Sequence, residues 1–419
     1  MLRKSVRPFW LGATTMLLAG ALAGCSSAVS TGSTATPAAA PGVDAKTKTI
    51  TVGASTPFTG PATVYSEINM GAAAYFKAVD AKGGIDGWKI NYTLLDDGYN
   101  PAKNLANVQT LVKQDHVFAI VVNQGTPTNV AAAHFLANTN VPVVGPAEGA
   151  PALSHYPNYF VLMPNYAWEA GLAAQYAVQK LGATKVGILY ENDDLGIPAK
   201  TGAEAELKAL GLSPVAAIPF EVTTTDFSPY VGELASKGAQ AVLLWGANPN
   251  AAAALRAANQ IGFHPKWLMA FWIADPSTYK LAGSLLDGVY FPMWFQPLGS
   301  RSPAMEAYKA AMRTYEPSTP IGSLAENGYT EASLFGYALK ELLDQHKAIT
   351  QANLIQVLDS LHNADIGTAQ GVSFSAADHT SGIHSERIVQ AQNGQFVAIT
   401  GLLPFPPAAV QAVGSGSGQ

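Results

Sequence analysis

The chain has 419 residues, 48% of them hydrophobic and 13% charged, with a formal net charge of -5. The 24 Lys plus Arg form no concentrated basic patch, which excludes a nucleic-acid surface, and a single cysteine excludes a disulfide framework within the chain. The length suffices for two domains of ordinary size.

At the start of the chain, Arg3, Lys4 and Arg7 precede an apolar stretch from Phe9 to Ala21 that is short for a membrane span. Small residues then lead into Leu22-Ala23-Gly24-Cys25. This layout is similar to the lipobox of a bacterial lipoprotein signal peptide, in which the cysteine sulfur takes a diacylglyceryl group and the chain is cut just before it. The alternative is an ordinary secretory signal that contains a cysteine. Residues 1–24 are thus expected to be a signal peptide and Cys25 the lipidation site. Residues 25–47, whose stretch Ser26 to Lys46 is rich in Ser, Thr, Ala and Pro, are expected to be a flexible tether. No later apolar run is long and uninterrupted enough to cross a bilayer. Membrane attachment would then rest on lipid, for which stable anchoring needs more than one acyl chain.

From Thr49 onward short β-rich runs alternate with helical segments. Ile50 to Ala54 reads as a strand. A helix from near Tyr65 follows, with Ile68, Ala72, Tyr75, Phe76 and Val79 on one face and Gly83-Gly84 as its stop. Ile90 to Leu95 is the next strand, and Asn100-Pro101 caps the next helix, whose Leu105, Val108 and Val112 face inward. Phe118 to Val122 and Val141 to Val144 have the continuous apolar character of strands buried on both faces, with a helix from near Thr126-Pro127 between them.

A second series repeats the rhythm. It runs through a helix near Trp168 to Leu181, a strand Lys185 to Tyr190, a helix ending at Leu210-Gly211, and strands near Val215 to Phe220 and Gln240 to Trp245. A helix capped by Asn248-Pro249 and a strand Lys266 to Ala270 complete it. From about Met293 the chain turns helical, at Pro303 to Tyr315, Glu326 to Leu343 and Gln351 to Leu361. A short β finish is expected at Val372 to Phe374 and Ile388 to Gln392. Two doubly wound α/β domains fit this pattern, the late elements completing both. Residues 403–419, Pro-rich and then Gly/Ser-rich, are expected to be disordered.

Catalytic patterns are missing. There is no G-x-S-x-G, H-E-x-x-H, P-loop or G-x-G-x-x-G after a strand, and with no cysteine besides Cys25 a thiol nucleophile is excluded from the mature body. His379 and His384 read as turn residues rather than a metal pair, and Asp96-Asp97 and Asp193-Asp194 as solvated capping residues rather than an acid/base pair. No enzyme activity, metal or cofactor is expected.

Several stretches then resemble the branched-chain amino-acid type of solute receptor from bacterial ABC importers. They are Thr56-Pro57-Phe58-Thr59-Gly60-Pro61 with Tyr65, Gly83-Gly84-Ile85-Asp86-Gly87, Asp96-Asp97 before Asn100-Pro101, and Val143-Val144-Gly145-Pro146-Ala147 with Pro151-Ala152-Leu153. Thr225-Asp226-Phe227-Ser228 and Gly371-Val372-Ser373-Phe374 complete the ordered set, from about residue 48 to 400. The resemblance implies a type I periplasmic-binding-protein fold, two Rossmann-like lobes with three crossovers near Met163-Pro164, Phe291-Pro292 and Gly371-Val372. Lobe one would take residues 48–164 plus 293–371, and lobe two 165–292 plus 372–402. It also implies a small organic solute in the cleft, an ABC permease and ATPase as partners, a monomer, and an exported, membrane-anchored location. A ligand-sensing receptor subunit of the same fold is the alternative.

The loops that feed helix or turn starts, Gly125-Thr126 and Ala147-Glu148-Gly149, offer backbone N–H groups suited to an anionic or carbonyl group. They are similar to the family's clamp for an amino-acid carboxylate, and Tyr65 to an aromatic residue of its cleft. In the second lobe the family's two cleft tyrosines align with Leu195 and Ala247, and its ammonium-binding acid with Trp272. An ordinary branched-chain amino acid would then bury its ammonium against no carboxylate. The candidate ligands are an atypical amino acid, an amide, or an aromatic or aliphatic carboxylate. Trp245, Phe271 and Trp272 either wall the cleft or belong to the interlobe core. Glu148 either supplies the missing acid or is a surface turn residue.

Overall fold

The computed structural model describes residues 40–60 and 62–413; the expected signal peptide, Cys25, the tether up to residue 39, Pro61 and residues 414–419 lie outside the described residues. A short strand β1 (Val43–Asp44) runs antiparallel to β2 (Thr49–Thr56). The expected tether therefore ends before residue 47. Asp44 closes the turn by accepting from the N–H groups of Lys46 and Thr47 at 2.8 and 3.3 Å, and Val43 packs against the core.

Helix α1 (Ser66–Ala81), β3 (Lys89–Asp96), α2 (Pro101–Lys113), β4 (Ala119–Val121), α3 (Thr126–Ala137), β5 (Val143–Val144) and β6 (Tyr159–Phe160) follow. β4, β5 and β6 are wholly buried, as their unbroken apolar runs require. The parallel strands lie in the order β3-β2-β4-β5-β6. The order reverses between β2 and β4, so the crevice of this sheet opens beyond their carboxyl ends.

The second sheet is built the same way. Its first elements are α4 (Tyr166–Gln179), β7 (Val186–Glu191), α5 (Gly196–Ala209), β8 (Ala216–Phe220), α6 (Ser228–Ser236) and β9 (Ala241–Trp245). Then come α7 (Asn248–Gln260), β10 (Lys266–Met269), α8 (Pro276–Ala282) and β11 (Tyr290–Met293). The parallel order β8-β7-β9-β10-β11 repeats that of the first sheet, with its reversal between β7 and β9.

The chain then returns. α9 (Pro303–Tyr315), α10 (Ser323–Asp344) and α11 (Gln351–Asp359) cover the first sheet, α10 lying against α1, β4 and β5. A Cβ at Gly71 would lie 1.8 Å from the Ala325 carbonyl oxygen, and one at Gly328 1.8 Å from that of Ile68. α1 and α10 thus touch backbone to backbone, which only glycine at both places allows.

Val372 to Phe374 forms no strand, only a bridge from Val372 to Ala364. Residues 372–383 pack on the first sheet's side rather than the second's. The Gly382 N–H donates to the Val161 carbonyl at 2.8 Å, the Phe374 ring meets Phe160 edge-on, and His379 pairs with Asp359 at 2.7 Å. β12 (Ser385–Gln392) then joins β11 antiparallel, followed by β13 (Gln395–Ala398), β14 (Leu403–Pro404) and α12 (Pro407–Ala412).

The expectation of disorder from residue 403 is corrected. β14 pairs with β12, the Phe405 ring stacks 5.6 Å from Trp168, and Ala409 is buried where Gly171 leaves room for it. The prolines that suggested a loose tail instead start a helix, since a proline at its first position needs no N–H partner.

Candidate functional site

The loops that leave the two switch points meet in one cavity of about 200 Å³. This is below the roughly 300–1,000 Å³ of sites for drug-sized ligands, a size that suits a small metabolite. The first-sheet side contributes Tyr65, Tyr99, Gln124, Gly125, Thr126 and Ala147, and the second-sheet side Tyr166, Glu191, Leu195, Ala247, Asn250 and Trp272.

On the first side, β4 ends in a tight bend at Val122, a β-branched residue held at φ 60°. Such strain persists only where the surroundings enforce it. Here Asn69 donates to the Val122 carbonyl at 2.7 Å, and Asn123 accepts from the Ser55 N–H at 2.9 Å and donates to Asn129 at 2.9 Å. The bend delivers Gln124 to the cavity and Gly125 to the cap of α3, where the Asn129 and Thr128 side chains both bond the Gly125 carbonyl at 2.8 Å. The first turn of α3 leaves its leading N–H groups without intrahelical partners, with the positive end of the helix behind them. The Thr126 hydroxyl stands 3.4 Å from the Tyr166 hydroxyl.

On the second side, Asn248 organises the wall. Its amide donates to the Trp272 carbonyl at 3.1 Å and the Thr278 hydroxyl at 2.8 Å, while its oxygen accepts from the Tyr65 hydroxyl at 3.3 Å, tying the two sides together. The Trp272 indole N–H donates to the Gly246 carbonyl at 2.9 Å, and its ring meets Tyr166 edge-on at 5.4 Å. Asn250 holds the neighbouring loop through the carbonyls of Val222 and Thr224 at 3.2 and 3.0 Å.

Of the residues picked from sequence, Tyr65, Gly125, Thr126, Ala147, Leu195, Ala247 and Trp272 lie together along this cavity. Three do not. Trp245, the last residue of β9, points into the core, its indole N–H 3.4 Å from Glu169. Gly149 is closed in by Tyr166 and the Pro164 carbonyl. Glu148 is neither a surface turn nor a cleft wall: it is fully buried behind Thr126 and Tyr166, accepting from the Ala150 N–H. Burial pushes its carboxyl up to about 8.

Sequence reasoning passed over Glu191, the last residue of β7, which lines the cavity at 7% exposure. A carboxylate therefore does face the cleft from the second side, against the expectation of none. Burial, and then the neighbouring Asp193, push it up to about 8. Its signal in the sequence was its place, one residue past the apolar run Val186 to Tyr190, just where a parallel strand opens onto its crevice. Tyr99, Gln124 and Tyr166 were also missed. Asp97 is a buried capping residue rather than a solvated one, accepting from Ser55, Asn104 and the Tyr99 N–H at 2.7–2.8 Å.

Among the described residues, no helix is long and apolar enough to cross a membrane, and no group of three or more His, Cys, Asp or Glu side chains could hold a metal ion.

A family profile described as periplasmic binding protein matches residues 49–395. The chain belongs to the periplasmic binding protein family, in its type I, branched-chain amino-acid form. Among its relatives is an "Amino acid binding protein" of Pseudomonas aeruginosa, 24% identical over 222 residues, which are 52% of this chain and 59% of that protein, less than two thirds of its length. A solved "Fatty acid ABC transporter substrate-binding protein from Thermomonospora curvata" superposes with a TM-score of 0.79 at 24% identity, covering 88% of this chain and 95% of that one. A branched-chain amino-acid ABC transporter structure from Thermus thermophilus with bound valine gives 0.78 at 20% identity, covering 86% and 97%. Both likenesses establish the fold.

Proposed function

We propose that the protein is an extracytoplasmic substrate-binding protein of an ABC importer, held at the membrane by lipid on Cys25, which closes two lobes around a small organic solute and passes it to a permease and its ATPase. The observation that carries this reading is the single cavity lined from the switch points of both sheets and spanned by the Tyr65–Asn248 hydrogen bond. A solute that touches both walls binds the closed form better than the open one, and so draws the hinge shut. Lobe one is residues 48–164 plus 293–371, and lobe two 165–292 plus 384–413, with residues 372–383 packing on lobe one. The protein acts as a monomer and performs no chemistry on its solute. The relatives named for amino acids, valine and fatty acids support a small solute with an apolar body, which the aliphatic and aromatic lining from Val64, Ile68, Leu195, Phe271 and Trp272 would cover.

The test is a thermal-shift screen of the purified protein against amino acids, amines, amides, aliphatic and aromatic acids and polyols. A ligand at a hundredfold over its dissociation constant adds about 2.7 kcal/mol, a clear rise in melting temperature. A hit should also lower the radius of gyration in solution scattering. A screen in which no compound moves either quantity refutes the receptor reading. Replacing Cys25 by Ser should release the exported protein from the membrane fraction and abolish its labelling by radioactive palmitate.

A further inference from the structure

The cavity is lined by several hydrogen-bond acceptors and, among the described residues, by no cationic side chain. Glu191 presents its carboxyl group at the end of β7, and no Lys, Arg or His occurs among the lining residues. Gln124, only 4% exposed, lines the cavity with an oxygen that has no hydrogen-bond partner, and so does Asn327 at 2%. Tyr65 already gives its hydroxyl hydrogen to Asn248 and Trp272 its indole N–H to Gly246, and the remaining hydroxyl donors of the lining, those of Tyr99, Thr126, Tyr166 and Thr223, carry no charge. A buried polar atom without a partner is costly, so these acceptors call for a ligand that brings N–H bonds. A carboxylate alone would leave the oxygens of Gln124 and Asn327 without a donor and set a second negative charge near Glu191.

We infer that the cleft selects solutes bearing a cationic nitrogen group, an ammonium, amidinium or guanidinium, with Glu191 as its counter-ion and specificity-determining residue and Gln124 and Asn327 as further acceptors. The inference rests on the cleft being the solute site proposed above. It moves the discriminating acid from the aligned position, which is Trp272 here, to the end of a different strand. The first turn of α3 remains free for an acceptor group elsewhere on the same molecule.

The groups that face Glu191 are Asp193 and Glu221 on its own side and Tyr65 and Tyr99 across the cleft, none of them cationic. In the empty cleft Glu191 is pushed up to about 8, so a nitrogen cation must displace its proton below that pH. Affinity for such a solute therefore rises between about pH 6 and 8, by up to about tenfold per unit, and levels off above; affinity for a carboxylate alone moves the other way.

The experiment is calorimetric titration of the purified protein with matched pairs that share a body: leucine and 4-methylpentanoate, phenylalanine and 3-phenylpropanoate, 3-methylbutylamine and 3-methylbutanol, 4-guanidinobutyrate and butyrate. The nitrogen-bearing member of at least one pair should bind the more tightly, with the pH trend above. Glu191→Gln should weaken it about 30-fold while leaving the melting temperature of the empty protein within a few degrees of, or above, the parent's. Glu191→Asp should keep the preference for the nitrogen cation. Tighter binding of the deaminated partners, unchanged affinity in Glu191→Gln, or hits confined to anions and neutral compounds would overturn the inference and leave the receptor reading standing. If no compound of any charge binds, both fall together.

Discussion

Burial raises Glu148 to about 8 and Glu67 to about 7, and it raises Glu326, Glu331 and Glu386 well above the usual carboxylate range. Each group prefers its neutral form in the folded protein and ionises near its ordinary value in the unfolded chain. The folded state therefore holds more protons between about pH 4.5 and 8, and stability falls as pH rises through that window. Calorimetry of the empty protein should show a melting temperature that declines by several degrees from pH 5 to 9. Glu148→Gln, neutral at every pH, should flatten the decline; a profile that rises across this range would contradict the burial of these acids as neutral groups. None of this was legible locally. Glu148 sits in a loop whose composition suggests a turn, and what buries it is Tyr166 and the acid-bearing face of α10 at Glu331, both remote in sequence.

Helices whose signals are local could be read from the sequence alone. Asn100 accepts from the Lys103 N–H at 3.0 Å with Pro101 at the first helical position, as its place before a proline indicated, and Gly125-Thr126 opens α3 where the pattern put it. α12 escaped because its partners are distant. Pro406 and Pro407 look like a linker until Trp168 and Gly171 on α4 are known to receive Phe405 and Ala409. Deleting residues 403–419 should therefore lower the melting temperature by several degrees and shift tryptophan emission to longer wavelength as Trp168 becomes wet. A truncated protein with an unchanged midpoint would restore the expectation of a disordered tail. The strand expected at Val372 to Phe374 failed for a related reason. Its apolar residues are buried, but against Phe160 and the segment that follows α11, at Leu361 and Ala364, rather than in a ladder.

The whole molecule is knit by three passages of the chain between its sheets, so the second sheet is completed by β12 to β14 and the first, whose strands all lie before residue 161, is covered by α10 only late in the chain. The alternation of strands and helices was enough to foresee two doubly wound sheets, because the period changes from two to 3.6 are written along the chain. The dependence of each on a later return of the chain was not, since it lies in contacts such as Gly71 with Ala325 in the first and Phe291 with Val389 in the second. A fragment spanning residues 40–293 should show no cooperative urea transition and should bind a hydrophobic dye, because α1 lacks α10 and β11 lacks β12. Gly328→Ala, which drives a methyl group into the Ile68 carbonyl, should cost the intact protein about 1–3 kcal/mol or more in the same assay. The return of α10 to α1 also sets a timetable for biosynthesis. The face of α1 is emitted from the ribosome roughly 250 residues before its cover, so at about 5–20 residues per second it waits on the order of 10 to 50 seconds for a native partner. Nearly the whole polypeptide is thus made before its first sheet can be sealed, which leaves a long interval in which a chaperone or a translocation channel meets an unfinished chain.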